Sequence, residues 1–405
     1  MYRVVFVAAA ACLAVSTPAR GQTVLTLEET IARARDQGGA VVVARARIAE
    51  AEAGVVEASA RSRANPVIDV NAGPRGGGGT RSTELDVGVS QPFESGGQRR
   101  ARIEGARAAV DRQRAEADET GRAVVFEAAS AFLDGVAAGE RLTIAEEADT
   151  VGRELAHATE RRYAAGDIAA IDLNLARIDA ARSAATLRAA RADVAAAVGV
   201  LRALLRLPAA EPVELRGSLD LPAPAPLEQL RAAVDQRPDF AALAAEGREA
   251  AAQAQLGLAL RQPDLGVRVS YEREETDTIV LGGLSITLPA FQRGQGTLAA
   301  AAARASRARA QLETARAAAI SDLETAYGLY QQHATLATAL ARDTEVSVQD
   351  NESLARRSYD AGEINLMDVL LIRRDALDTR TAVVERRLQA ARSRLHVDFV
   401  AGVLR

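Results

Sequence analysis

Along this chain the spacing of apolar residues switches between two periods, and the switches recur in the same order in both halves. Helical spacing runs from Thr26 to Gln37 and again over about 41–63, where Asn65-Pro66 ends it, because the residue before a proline is pushed out of the helical region. Strict alternation follows. Ile68, Val70 and Ala72 alternate with Asp69 and Asn71, and Leu85, Val87 and Val89 alternate with Asp86, Gly88 and Ser90. Period two with apolar residues on one side predicts strands at about 67–73 and 84–91, with the Gly-rich stretch 74–83 as their loop. In the second half Leu265, Val267, Val269 and Tyr271 alternate with Gly266, Arg268 and Ser270, and Leu284, Ile286 and Leu288 alternate with Ser285 and Thr287. These predict strands at about 264–272 and 279–288, so each half carries one hairpin.

A long charged, Ala-rich pattern without proline then runs from Gln98 to Ala164, and its counterpart from Gln295 to Asp360. Each predicts a single helix of about 100 Å. Both stop at a repeated glycine motif, YAAGDIAAIDL around Gly166 and YDAGEINLMDVL around Gly362, where glycine supplies a left-handed turn and the chain doubles back. Return helices follow over about 169–207 and 365–404. In the second, Leu377, Val384 and Ala391, with Leu388 and Leu395 between them, keep the heptad spacing of coiled-coil packing.

The two halves are one unit written twice. Gly166 and Gly362 lie 196 positions apart, Pro66 and Pro263 lie 197 apart, and so do Pro92 and Pro289. Leu27 and Leu227 lie 200 apart, and agreement of four landmarks at nearly one offset is the mark of duplication. The chain divides into residues 1–21, a first repeat at 22–206, a Pro-rich linker at 207–226 and a second repeat at 227–405.

Composition turns this pattern into a shape. Of 405 residues 48% are hydrophobic but only 3% are aromatic, with no Trp. Alanine-rich helices suit rods that approach closely more than a ball with a bulky core. The formal net charge of -4 gives no case for nucleic-acid binding, which needs a basic face. Arg3, the apolar run Val4 to Val15 and Ala19-Arg20-Gly21 read as a secretory signal peptide over 1–21, and no later stretch has the length of a transmembrane helix. The only cysteine, Cys12, falls in that segment as part of the apolar run or as a lipidation site, so the mature chain has no internal disulfide. His157, His333 and His396 lack ligand spacing, RGGGGT at 75–80 lacks the end of a phosphate loop, and no nucleophile, base and orienting group fall together. Neither an enzyme nor a cofactor is expected. Tyr271, Phe93 and Phe291 stand near the predicted strand ends as interface aromatics or as ordinary packing.

Four amphipathic strands with open edges pose a problem that one soluble chain cannot solve. In lipid, closure is obligatory, and four strands cannot close a barrel while several copies donating four each can.

The order of short helices, hairpin, long helix, glycine turn and return helix, twice over, resembles the TolC-like outer membrane efflux family of Gram-negative bacteria, and its heavy-metal and cation branch in length and alanine content. The resemblance covers about residues 24 to 404 and rests most on Pro92, Pro289 and the two glycine motifs. It implies a mainly α fold with a membrane β-barrel contribution: a homotrimer whose twelve-stranded barrel in outer-membrane lipid is continued by a periplasmic α-helical barrel. It also implies partnership with a periplasmic adaptor (membrane fusion protein) and an inner-membrane pump, which supplies the energy for a passive duct. By motif position Asp172 and Asp368 match acidic residues that narrow the closed pore, and Tyr359 matches an aromatic that holds the closed tip. Gly166, Asp167, Gly362 and Glu363 form the turns, as caps or as adaptor-facing residues. The chain departs from the family where Leu371 replaces a second acid and Ile364 replaces an arginine. Read from the residues alone, Asp172 and Asp368 are equally the N-terminal carboxylates of the return helices. The competing functions are a periplasmic coiled-coil adaptor or structural protein, and the outer-membrane component of type I protein secretion.

Overall fold

A computed structural model describes residues 23–77, 80–274 and 277–404. The expected signal peptide, with Cys12, lies outside the described residues.

The first unit opens with β1 (Thr23–Leu25), α1 (Leu27–Gln37) and α2 (Gly39–Ala58). Thr26 caps α1 through a reciprocal box with Glu29, which fixes the start of that helix. The hairpin β2 (Val67–Gly77) and β3 (Thr80–Phe93) leads into α3 (Gln98–Ala164), and α4 (Ala170–Leu205) returns. The second unit repeats the order as β4 (Val213–Leu215), α5 (Leu227–Val234), α6 (Pro238–Ala259), β5 (Asp264–Glu274), β6 (Asp277–Thr287), α7 (Gln295–Asp360) and α8 (Leu366–Ala401).

Helix α3 is the spine: it packs against α1, α2, α4, α6 and α8. Alanine makes that crowding possible, with Ala128, Ala129 and Ala137 fully buried around Phe132 and Leu133. Val384, Leu388, Ala391 and Leu395 of α8 close the same core, as the heptad spacing predicts.

Two differences from the expectation have physical causes. The hairpin pairs through the Gly-rich stretch, from Pro74 opposite Thr83 to Gly77 opposite Thr80, so the connection is far shorter than a ten-residue loop. Backbone ladders need no side chain, and composition alone hides them. The 207–226 segment is not a free spacer either. Its Val213–Leu215 pairs in parallel with Thr23–Leu25, joining the starts of the two units, and Leu219 is buried in the core. Arg387 of α8 grips Asp220 with two hydrogen bonds, of 2.8 Å and 3.2 Å.

The four long strands form one antiparallel sheet in the order β2-β3-β5-β6. The joint between repeats is β3 against β5, from Leu85 opposite Arg273 to Phe93 opposite Leu265. Strands β2 and β6 are the edges.

Candidate functional site

The sheet has one apolar face and one polar face. Rows of apolar residues cross it, Val70, Val87, Tyr271 and Val280 in one and Ile68, Val89 and Val269 in the next. They are open to the surroundings, with Ile68 67%, Val280 67% and Leu284 81% exposed. An uncovered apolar sheet face of this size marks an interaction surface. Tyr271 lies within β5 opposite Val280, inside the apolar band; Phe93 ends β3, and Phe291 follows β6 with 92% exposure.

The opposite face carries Asp69, Asn71, Asp86, Gly88, Arg268 and Glu272. Arg268 crosses β3 to reach Asp69 at 3.3 Å, and its path lies over Gly88, where a Cβ would sit 2.7 Å from Nη2. A side chain at that position would make the guanidinium take another path. Asn71 donates to Asp86 at 3.2 Å.

At the far end of the helices the two glycine turns share one backbone. Gly166 and Gly362 have φ of 84° and 77°, a region that suits glycine. Gly166 N–H donates to Tyr163 O and Asp167 N–H to Arg162 O; Gly362 N–H donates to Tyr359 O and Glu363 N–H to Ser358 O. These paired bonds close both helices with a Schellman motif. Asp167 and Glu363 therefore serve the turns through their backbone N–H groups, not as side-chain caps of the return helices, and both carboxylates are exposed. Glu363 accepts from Ser358 Oγ at 2.9 Å.

Side chains at the tips differ. Asn365 caps α8, and Asp368 completes the box, its N–H bonded to Asn365 Oδ1 at 2.9 Å and its carboxylate to the Asn365 N–H at 3.4 Å. Helix α4 starts from Ala169 with no side-chain cap, and Asp172 in its first turn makes no such bond. Tyr359 is only 9% exposed, packed with Ala176 and Leu366 beneath the Arg162 guanidinium at 5.1 Å. Ile364 joins that cluster, an apolar contact where the family resemblance implies an arginine, while Leu371 is 57% exposed. A groove of about 1010 Å³ runs between α3 and the second helical hairpin, α7 with α8, lined by Val151, Leu155, Ala355, Tyr359, Ile372 and Leu377.

Above the tip lies a polar clamp that the motifs did not announce. Arg373 of α8 is 7% exposed, pairs with Asp179 of α4 and donates to the Ala148 carbonyl of α3. Gly152 makes room for it, since a Cβ there would be 3.3 Å from Nη2. A signal was present: Arg177-Ile178-Asp179 and Arg373-Arg374-Asp375 recur at the 196 offset of the glycines. The three histidines are scattered. His157 faces Glu160, His333 bonds Ser393 and Gln389, and His396 stacks near Phe399.

A relative from Cupriavidus metallidurans, the cobalt-zinc-cadmium resistance protein CzcC, is 27% identical over 309 residues, 74% of this chain and 72% of that protein. The fold matches the outer membrane protein VceC of Vibrio cholerae with a TM-score of 0.76 at 19% identity, covering 93% of this chain and 96% of that one. It also matches the CmeC outer membrane channel of Campylobacter jejuni with a TM-score of 0.76 at 16% identity, covering 93% and 85%. The model of the outer membrane efflux protein family matches residues 30–205 and 230–403, one match per repeat. With its twice-written hairpin and rod, this chain belongs to the outer membrane efflux protein family.

Proposed function

We propose that three copies of this chain form a passive exit duct, a twelve-stranded barrel in the outer membrane continued by a helical barrel in the periplasm. The observation that carries this reading is the four-stranded sheet. Its edges β2 and β6 are each 11 residues long, the length of a membrane strand, and its apolar face is bare. In lipid such edges must find partners, and β6 of one copy against β2 of the next satisfies both. A soluble adaptor has no use for this face.

The exposed turn residues Gly166, Asp167, Gly362 and Glu363 face the adaptor and, through it, an inner-membrane pump. Asp172, Asp368 and Tyr359 form the gate, with the six carboxylates of a trimer attracting cations to a narrow lumen. Asp368 can serve both as cap and as gate, because a capping box leaves one carboxylate oxygen free. The cargo class is divalent metal cations, a reading supported by the name of the Cupriavidus metallidurans relative.

Detergent extraction of outer membranes followed by native mass measurement tests the architecture: a trimer is expected, and a soluble periplasmic monomer overturns it. Single-channel conductance tests the gate. Asp172→Asn and Asp368→Asn should each reduce cation selectivity and divalent block; unchanged currents in both variants remove the acidic ring from the mechanism.

A further inference from the structure

The clamp at Arg373 has a twin that the single chain leaves half used. Arg177 is the counterpart of Arg373, and Asp375 that of Asp179, both at the 196 offset. In the second hairpin Arg373 crosses to Asp179 of the first, and the ion pair is nearly buried, its side chains 8% and 28% exposed. Arg177 is 57% exposed and Asp375 lies on the open face of α8.

The helix faces around the two arginines repeat the contrast. On α8, Val384, Leu388, Ala391 and Leu395 are buried against the first hairpin, whereas their counterparts on α4, Arg188, Ala192, Ala195 and Gly199, are exposed. The α3–α4 hairpin therefore presents outward the helical positions that the α7–α8 hairpin presents inward, with Arg188 in place of Val384 and smaller residues in place of Leu388 and Leu395. A duplicated chain that joins unit one to unit two by a given face satisfies the leftover faces by joining unit two to unit one of another copy.

From this we infer that Arg177 of one copy pairs with Asp375 of the partner subunit, the intermolecular equivalent of the Arg373 to Asp179 bridge. The inference rests on the trimer proposed above. The substitutions around the twin site fit a shared rather than a swapped partner. Arg373 has no acid on its own hairpin, because Arg356 stands where Glu160 stands in the first; it takes the Ala148 carbonyl through the gap at Gly152 instead. At the twin site Val348 fills the position of Gly152 and closes that route, and Glu160 holds Arg177 through Nε and Nη2 at 3.2 Å and 3.0 Å. That leaves Nη1 for a second carboxylate, and a guanidinium readily bridges two.

Two differently tagged chains, one carrying Arg177→Cys and the other Asp375→Cys, are co-expressed, extracted as trimers and treated with a short bifunctional thiol reagent. An arginine–aspartate pair holds its Cβ atoms further apart than the ~4 Å of a disulfide, so a spacer is needed. A product carrying both tags is expected, absent when either variant is present alone; the single variants also report any reaction through Cys12. A trimer of correct native mass that yields no mixed-tag product overturns the pair. Single chains in the native mass measurement overturn the trimer itself, and the pair with it. A cycle of Arg177→Gln, Asp375→Asn and the double variant gives a second readout in the temperature at which the trimer dissociates: because Arg177→Gln also releases Glu160, the double should fall no further than Arg177→Gln alone, and additive falls overturn the pair.

Discussion

The two helical tips have one backbone and two chemistries. Both close with the same glycine turn and the same pair of hydrogen bonds, yet Tyr163 is 44% exposed and Tyr359 9%. Helix α4 begins uncapped at Ala169, and α8 begins with a full box at Asn365 and Asp368. After duplication the backbone stayed fixed because the turn demands it. The side chains differ where the packing differs: Val384, Leu388 and Ala391 of α8 are buried against the core around α3, while the corresponding positions of α4 are exposed.

The comparison breaks most readily at the twin arginines. In chains separated in detergent, Arg373→Met should cost about 3 kcal/mol, because Asp179 and the Ala148 carbonyl lose a buried partner. Arg177→Met in the same state should cost less than about 1 kcal/mol, the scale of an exposed pair. Denaturant unfolding measures both, and equal losses would erase the distinction between hairpins. The tyrosines sharpen it next: Tyr359→Ala should cost about 3 kcal/mol and speed amide exchange around the second turn, while Tyr163→Ala should leave the first turn within about 1 kcal/mol.

A smaller effect is expected at the caps. Asn365→Ala should loosen the first turn of α8 by about 1 kcal/mol, and Ala169→Asn should tighten that of α4 by a similar amount, both read by hydrogen exchange. The smallest concerns the tether between α8 and the segment that joins the repeats. The hydrogen bonds from Arg387 hold the Asp220 carboxyl below its ordinary range. A depressed acid contributes stability that is present above its unfolded value and lost as pH falls through the folded one. Protection of the 213–221 amides, corrected for the intrinsic pH dependence of exchange, should therefore stay constant down to about pH 4 and fall below it, and Asp220→Asn should abolish that dependence.

How much of this was legible depended on where the information sits. The long helices run from Gln98 to Ala164 and from Gln295 to Asp360 as read, because proline-free Ala-rich runs and terminal glycines are local signals. The strands were found by alternation but cut short, since Pro74 to Gly77 have the composition of a turn and the pairing of a ladder. The parallel pairing of Val213–Leu215 with Thr23–Leu25 was hidden among prolines, because nothing local announces a partner so far away. Of the tip residues, the glycines declared their role, while the capping by Asp368 and the burial of Tyr359 were visible only in three dimensions. Arg373 is the clearest loss. Its twin was in plain sight at the repeat offset, but an arginine in an arginine-rich helix carries no mark until the helix against it is known.

The joint of β3 to β5 has a kinetic consequence. In the trimer proposed above, the chain carries one seam of the barrel, β3 against β5, within itself and leaves another, at β2 and β6, to be made between copies. The internal seam forms at a rate independent of how many chains are present; the outer one requires encounters, so insertion should rise faster than linearly with the supply of chains. A cell that secretes this protein too slowly accumulates half-sheets with bare edges, and those are substrates for proteases and for aggregation before they are components of a membrane.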